Sequence, residues 1–254
     1  MNYLKYTLTL LITLSTYSCF SAKGLPVKEV KENTSVKTKN QVLDHSSWDD
    51  LLRKYVADNG NVDYKGFQAE SKKLKDYIDY LASKVPAKDW SVNQQLAYFI
   101  NVYNANTIKL IIDNYPLKSI KDINNPWRKN RLKIGEKDYS LADIENGILR
   151  KMNEPKIHFA INCASYSCPK LLNTAYTSEN VQELMERATR EFINNSDKNI
   201  LSTNNPKLSE IFKWYKSDFT ENGSLIDYIN QYADTKISNK AKVDYLDYNW
   251  NLNE

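Results

Sequence analysis

Hydrophobic positions along the chain fall into helical stripes separated by polar breaks. Trp48, Leu51, Leu52, Tyr55 and Val56 recur at three- and four-residue spacing, with Ser46 or Ser47 ready to cap and Asn59-Gly60 to stop the helix. Val62 to Tyr64 reads as a short extended segment. A second stripe follows, Leu74, Tyr77, Ile78 and Leu81, ended by Val85-Pro86. Ser91 and Gln94 form a capping box that opens the longest helix, Val92 to about Asp113, whose stripe is Leu96, Phe99, Ile100, Tyr103, Leu110 and Ile111. Tyr115-Pro116 closes it.

The pattern then shortens. Arg131 to Ile134 and Lys137 to Tyr139, joined by Gly135-Glu136, predict a hairpin with glycine first in a two-residue turn. Ser140 starts a helix through Ile144, Ile148 and Leu149. Ile157 to Ile161 is a compact apolar run between Pro155 and Asn162 and reads as a buried strand. Thr177 is placed to cap a helix carrying Val181, Leu184, Met185, Ala188 and Phe192. Beyond it the reading is a strand at 199–202, a turn at 204–206, helices at 209–219 and 224–233, and a terminal strand at 243–250. With neither an internal repeat nor a second boundary, residues 45–254 read as one α+β domain, mainly helical with short strands. Such a domain leaves room for a papain- or transglutaminase-like cleft.

The N-terminal 44 residues carry a different pattern. Lys5 precedes an apolar run, residues 6–14, too short to span a bilayer and of the length of a signal-peptide core. Residues 14–19 resemble a bacterial lipoprotein signal, so residues 1–18 read as a signal peptide and Cys19 as the acylated first residue of the mature chain. Ordinary cleavage near Ala22 is the alternative. Residues 19–44, rich in Lys, Glu, Asn and Thr, read as a flexible tether. The expected location is the cell envelope, on a membrane surface held through lipid at Cys19.

Composition narrows the function. Of 254 residues, 35 are Lys or Arg and 31 Asp or Glu, with both signs scattered, which gives no footprint for nucleic acid. Glycine-rich phosphate loops, Gly-x-Ser-x-Gly elbows and His-Glu-x-x-His helices are missing, so nucleotide, serine-hydrolase and zincin chemistries lack their usual sequence support. Reactive side chains are scarce. One of two histidines and two of three cysteines lie between Lys156 and Leu171.

That segment permits three chemistries. A nucleophilic thiol needs a base, and His158 with Cys163 or Cys168 is the available pair, with Asn101, Asn104 or Glu145 to orient the imidazole. On a straight strand His158 and Cys163 would face opposite sides, so a bend near Asn162 is required. Alternatively Cys163 and Cys168 form a disulfide, which an exported protein tolerates. A zinc site of His158, Cys163 and Cys168 is the third, but the spacing matches no familiar zinc module, and no metal or cofactor is assigned. The other histidine, His45, is expected to be exposed or to cap a helix. Asn101 and Asn104 share a helix face; they serve either a ligand or the backbone of a neighbouring loop.

Several ordered motifs are similar to one family. Asn101 to Ala105, Tyr115-Pro116 with Ser119 to Ile123, Ser140 to Glu145, His158 to Ser165 with Cys168-Pro169, and Trp214-Tyr215 with Asp218-Phe219 resemble domain of unknown function 547, from about Trp48 to Phe219. The family carries no established reaction. Its pattern places histidine after Ile-Glu, where this chain has Asn146. Two readings follow: a cysteine-dependent hydrolase or acyl/amide transferase using Cys163 or Cys168 with His158, or a non-catalytic binding module with a Cys163–Cys168 disulfide. The expected ligand is a small molecule or peptide, in a cleft between the Asn101–Asn104 helix face and the segment 158–169, touched by Asn101, Tyr103, Asn104, Glu145, Asn162 and Ser165.

Overall fold

The fold is described from a computed structural model, which describes residues 22–30 and 42–254. The signal segment and Cys19 lie outside the described residues. Four helices come first: α1 (Ser46–Tyr55), α2 (Tyr64–Ala69), α3 (Ser71–Ser83) and α4 (Val92–Ile112). The capping box at Ser91 and Gln94 forms as predicted. Helix α4 is buried nearly all round, not along one stripe, because α2, α3, α5 (Leu141–Gly147) and α6 (Val181–Asn194) pack about it. Several of its buried polar groups bond to backbone: Thr107 donates to the Tyr103 carbonyl, and the Gln95 side-chain oxygen accepts from the Lys28 amide, while the Gln95 side-chain nitrogen is buried without a partner among the described residues.

Strands β1 (Leu132–Ile134) and β2 (Lys137–Tyr139) pair antiparallel about Gly135, whose φ of +57° is the positive value the turn requires. The second sheet is a parallel pair, β3 (Lys207–Ser209) with β4 (Asp244–Leu246). Parallel pairing needs a crossover. Here it is α7 (Ile211–Trp214), α8 (Lys216–Phe219) and α9 (Leu225–Tyr232). A large aliphatic and aromatic core surrounds α4, and a smaller one gathers Phe159, Phe192, Phe212, Phe219 and Tyr228 under α6 to α9. The result is a single mainly helical α+β domain.

Six local expectations change. The run Ile157 to Ile161 is no strand: Pro155 to Phe159 wind as a 3-10 helix, with Pro155 in its first turn and the Glu154 carboxylate accepting from the Lys156 amide. Residues 209–219 form two short helices, because Tyr215 leaves helical geometry between them. Residues 199–202 contribute one bridge, Ile200 to Lys207, and the terminal strand shrinks to β4 because only those three residues find a partner. Thr177 caps a single turn before α6, its hydroxyl accepting from the amides of Glu179 and Asn180. Neither Ser46 nor Ser47 caps α1, where His45 takes the cap position without a side-chain bond.

His45 holds the N-cap position of α1 through its backbone but is buried, and its side chain makes no capping bond. Its ring is turned inward, 6% exposed, with Nδ1 2.7 Å from the Tyr77 hydroxyl and 3.4 Å from the Asn101 amide nitrogen. Residues 22–30, expected within a flexible tether, lie along the domain: the Val30 amide donates to the Met152 carbonyl and Lys23 pairs with Asp143. Gly60 holds α1's exit against the cysteine loop. Its φ is +88°, and a β-carbon there would sit 2.2 Å from Lys170 Cβ, so only glycine fits. Among the described residues, no helix is long and apolar enough to cross a membrane.

Candidate functional site

The cysteine loop is shaped by amides. Asn104 Nδ2 donates to the Ala160 carbonyl at 3.0 Å, and its Oδ1 accepts from the Asn162 amide at 2.8 Å, pinning the chain where it leaves the 3-10 helix. Asn162 then closes the next turn, its side chain donating to the Pro169 carbonyl and accepting from the Ala164 amide. Ala164 adopts a φ of +59°, unusual for a residue with a β-carbon and a mark of imposed local geometry. The chain does bend near Asn162, through a 3-10 exit and a left-handed residue, but the bend does not bring His158 into hydrogen-bonding contact with Cys163 among the described residues.

This turn brings the sulfurs of Cys163 and Cys168 to 2.8 Å. Both are free thiols. Cys168 is buried, whereas Cys163 is partly exposed. Cys163 Sγ also lies 3.1 Å from Ser165 Oγ and 3.3 Å from the Tyr248 hydroxyl, which are themselves 2.9 Å apart. The C-terminal tail delivers Tyr248, held by the Tyr166 amide on the Asn251 carbonyl and the Ser167 amide on the Asn249 carbonyl. Hydrogen bonding from Cys168 outweighs burial at Cys163 and, with help from Ser165 and Tyr248, draws its thiol below the ordinary cysteine value. Burial, then the bond to Cys163, pushes Cys168 up. The pair is thus asymmetric, with the thiolate favoured on the more accessible sulfur.

His158 sits on the 3-10 helix. Its Nε2 is 2.8 Å from Asp218 Oδ2, and the ring stacks on Tyr215 at 4.0 Å. Arg150 grips the same carboxylate through Nε and Nη2, both at 2.6 Å. Burial raises the Asp218 carboxyl, but hydrogen bonds from Arg150 and His158 outweigh it and hold it well below the usual carboxylate range. No hydrogen bond joins His158 to either sulfur among the described residues. Glu145, on α5, accepts from the Tyr103 hydroxyl at 3.2 Å and from the Tyr215 hydroxyl.

These groups converge on one cavity of about 440 Å³, lined by Tyr103, Glu145, His158, Cys163 and Cys168 and walled by aromatic side chains. Five residues expected at the site are brought together there. Asn101, Asn104, Asn162 and Ser165 are buried and do not line it: Asn101 bonds both the carbonyl and the amide of Tyr176, so the pair on α4 are clamps for backbone. The expected cleft wall is corrected accordingly, from the Asn101–Asn104 face to α5, α7, the segment around Tyr215 and the C-terminal tail. The two cysteines stand on a loop and not at a helix N-terminus. Asn146 lines the cavity and accepts from Arg150 at 2.9 Å. A broader groove of about 680 Å³ reaches the other side of Cys168. Among the described residues, no group of three or more His, Cys, Asp or Glu is disposed to hold a metal ion.

Asp218, Tyr215, Arg150, Tyr248 and Trp250 were not singled out from the sequence as site residues. Tyr215 and Asp218 stood inside the motif Trp214-Tyr215 with Asp218-Phe219, the one signal that could have found them. A family model described as "Protein of unknown function, DUF547" matches residues 87–193 and supports the resemblance seen in the motifs. The match takes in Tyr103, Glu145, His158 and both cysteines but ends before Tyr215, Asp218 and Tyr248. No curated protein and no solved structure matches the chain.

Proposed function

With a family that supplies no reaction as the starting point, we propose that the protein is a cysteine-dependent hydrolase or acyl/amide transferase with Cys163 as nucleophile. It works at the cell envelope, held on a membrane through an acylated Cys19. The observation that carries the reading is the position of the Cys163 sulfur, partly exposed, within hydrogen-bond distance of Cys168, Ser165 and Tyr248, and opening on a cavity that also holds Glu145 and His158, the latter bonded to Asp218. In the first step the thiolate bonds to the carbonyl carbon of an ester, thioester or amide. The bond to the leaving oxygen, sulfur or nitrogen breaks, and the leaving group takes a proton from a donor in the cavity. Water or an amine then attacks the thioester carbonyl, the carbon–sulfur bond breaks and the thiol is restored. His158, fixed by Asp218 and stacked on Tyr215, is the proton carrier on the cavity wall, reaching the substrate and not the resting sulfur.

A second reading has its own observation. Sulfurs at 2.8 Å are placed for a disulfide, and a binding module stapled by Cys163 and Cys168 would need no reactive thiol. One experiment separates them. The fully reduced protein is treated with p-nitrophenyl acetate or iodoacetamide at neutral pH and the adduct mapped by mass spectrometry. Acylation and rapid alkylation at Cys163, lost in Cys163→Ser and sparing Cys168, are expected. An unreactive Cys163 in the reduced protein leaves only the binding module.

A further inference from the structure

The cavity before Cys163 has a carboxylate within aromatic walls. Glu145 is 7% exposed, and both of its hydrogen-bond donors are phenols. Burial, and then the adjoining carboxylate, push Tyr103 and Tyr215 far above the ordinary tyrosine value, so they donate as neutral groups. The Arg150 guanidinium is turned onto Asp218 through two 2.6 Å bonds. Arg128 also lines the cavity and is exposed. Among the described residues, the Glu145 carboxylate is hydrogen-bonded by two phenols and joins no ion pair.

The rest of the wall is electron-rich. Trp214 and Trp250 stack with ring centres 5.7 Å apart, and Tyr248 packs on both, 4.7 and 4.5 Å away. Trp127 meets Trp250 edge-on at 5.7 Å. Cations already sit on two of the cavity's rings: Lys121 Nζ lies 5.2 Å from the Trp250 ring centre, and the Arg150 guanidinium 5.3 Å from that of Tyr215. Aromatic faces around a buried carboxylate favour a cation that is weakly hydrated and carries apolar groups. Inorganic ions would lose too much hydration there, and a neutral ligand would leave the carboxylate's charge unanswered.

We propose that this cavity binds an organic ammonium ion, its charge set against Glu145 and its alkyl groups on the faces of Trp214, Tyr248 and Trp250. The proposal rests on the reading of this cavity as the substrate site and names the amine as the acyl acceptor. In the transfer step the ammonium gives one proton to the Glu145 carboxylate and its nitrogen attacks the Cys163 thioester. The carbon–nitrogen bond forms as the carbon–sulfur bond breaks, and a second nitrogen proton goes to sulfur, leaving amide, thiol and protonated Glu145.

The test is tryptophan fluorescence and calorimetric titration of the full chain with n-butylammonium chloride against uncharged n-butanol. Saturable binding of the ammonium is expected, with n-butanol roughly tenfold weaker or more. Glu145→Gln should lose about the same factor, and Trp214→Leu, at a position 45% exposed, should weaken binding while melting like the parent. Equal affinity for the alcohol, or ammonium affinity unchanged in both variants, overturns the proposal. Ammonium binding that persists in a protein whose Cys163 resists acylation removes the enzyme reading and leaves this site standing. Acylation of Cys163 without ammonium binding removes this proposal alone.

Discussion

Replacing His45 with glutamine should make the protein less sensitive to mild acid. The ring is 6% exposed, and burial, only partly opposed by Asp44 and Glu179, lowers its pKa from 6.5 to about 4. The folded protein therefore holds the ring neutral, while the unfolded chain takes up a proton once the pH falls below about 6.5. The sign follows. The contribution is complete above that value, declines as pH drops towards about 4, and is level below it. At ~1.4 kcal/mol for each tenfold step in proton affinity, the drop is worth ~3 kcal/mol. Glutamine can keep a hydrogen bond to the Tyr77 hydroxyl, so the variant removes the titration with little change in packing. Urea midpoints for both proteins at several pH values from 7.5 to 4 would measure the difference, because the Asp218 carboxyl titrates alike in each and cancels. With only two histidines in the chain, the imidazole resonances add a direct check. A parallel pH dependence in parent and variant, or a His45 resonance titrating near 6.5, would refute the reasoning.

Two further outcomes concern the loop and the anchor. Asn104→Ala strands the Ala160 carbonyl and the Asn162 amide in a buried setting, at ~1–3 kcal/mol for each group. A loss of ~2–6 kcal/mol in urea unfolding, with slower alkylation of Cys163, is expected; a loss below ~0.5 kcal/mol would mean that the loop holds its shape without the clamp. Cys19→Ser should move the protein from the membrane to the soluble fraction of its native host, and continued membrane association of the variant would rule out the lipid tether.

The N-terminal ends of α4, α5 and α9 were legible because each carries its own instruction. A serine hydroxyl and a side chain three residues on satisfy orphan backbone amides whatever the rest of the chain does. The hairpin was legible for the same reason, since Gly135 supplies a backbone angle that few other residues tolerate. The run Ile157 to Ile161 misled, because five apolar residues fit a buried strand or a helical turn equally well. Only the packing of Phe159 into the second core and of His158 onto Tyr215 decides between them.

Residue type alone settled that reactive groups are few and cluster between Lys156 and Leu171, and that Asn101 and Asn104 had either a ligand or a backbone to serve. Which of these it was depended on what lay opposite α4, namely the carbonyls and amides around Ala160 and Tyr176. Tertiary structure also decided that His158 faces Asp218, that Cys163 meets Tyr248 from 85 residues away, and that His45 is buried. The physical reason is range. A cap or a turn is made with neighbours a few residues distant, whereas a cavity wall is assembled from segments whose meeting no local pattern encodes.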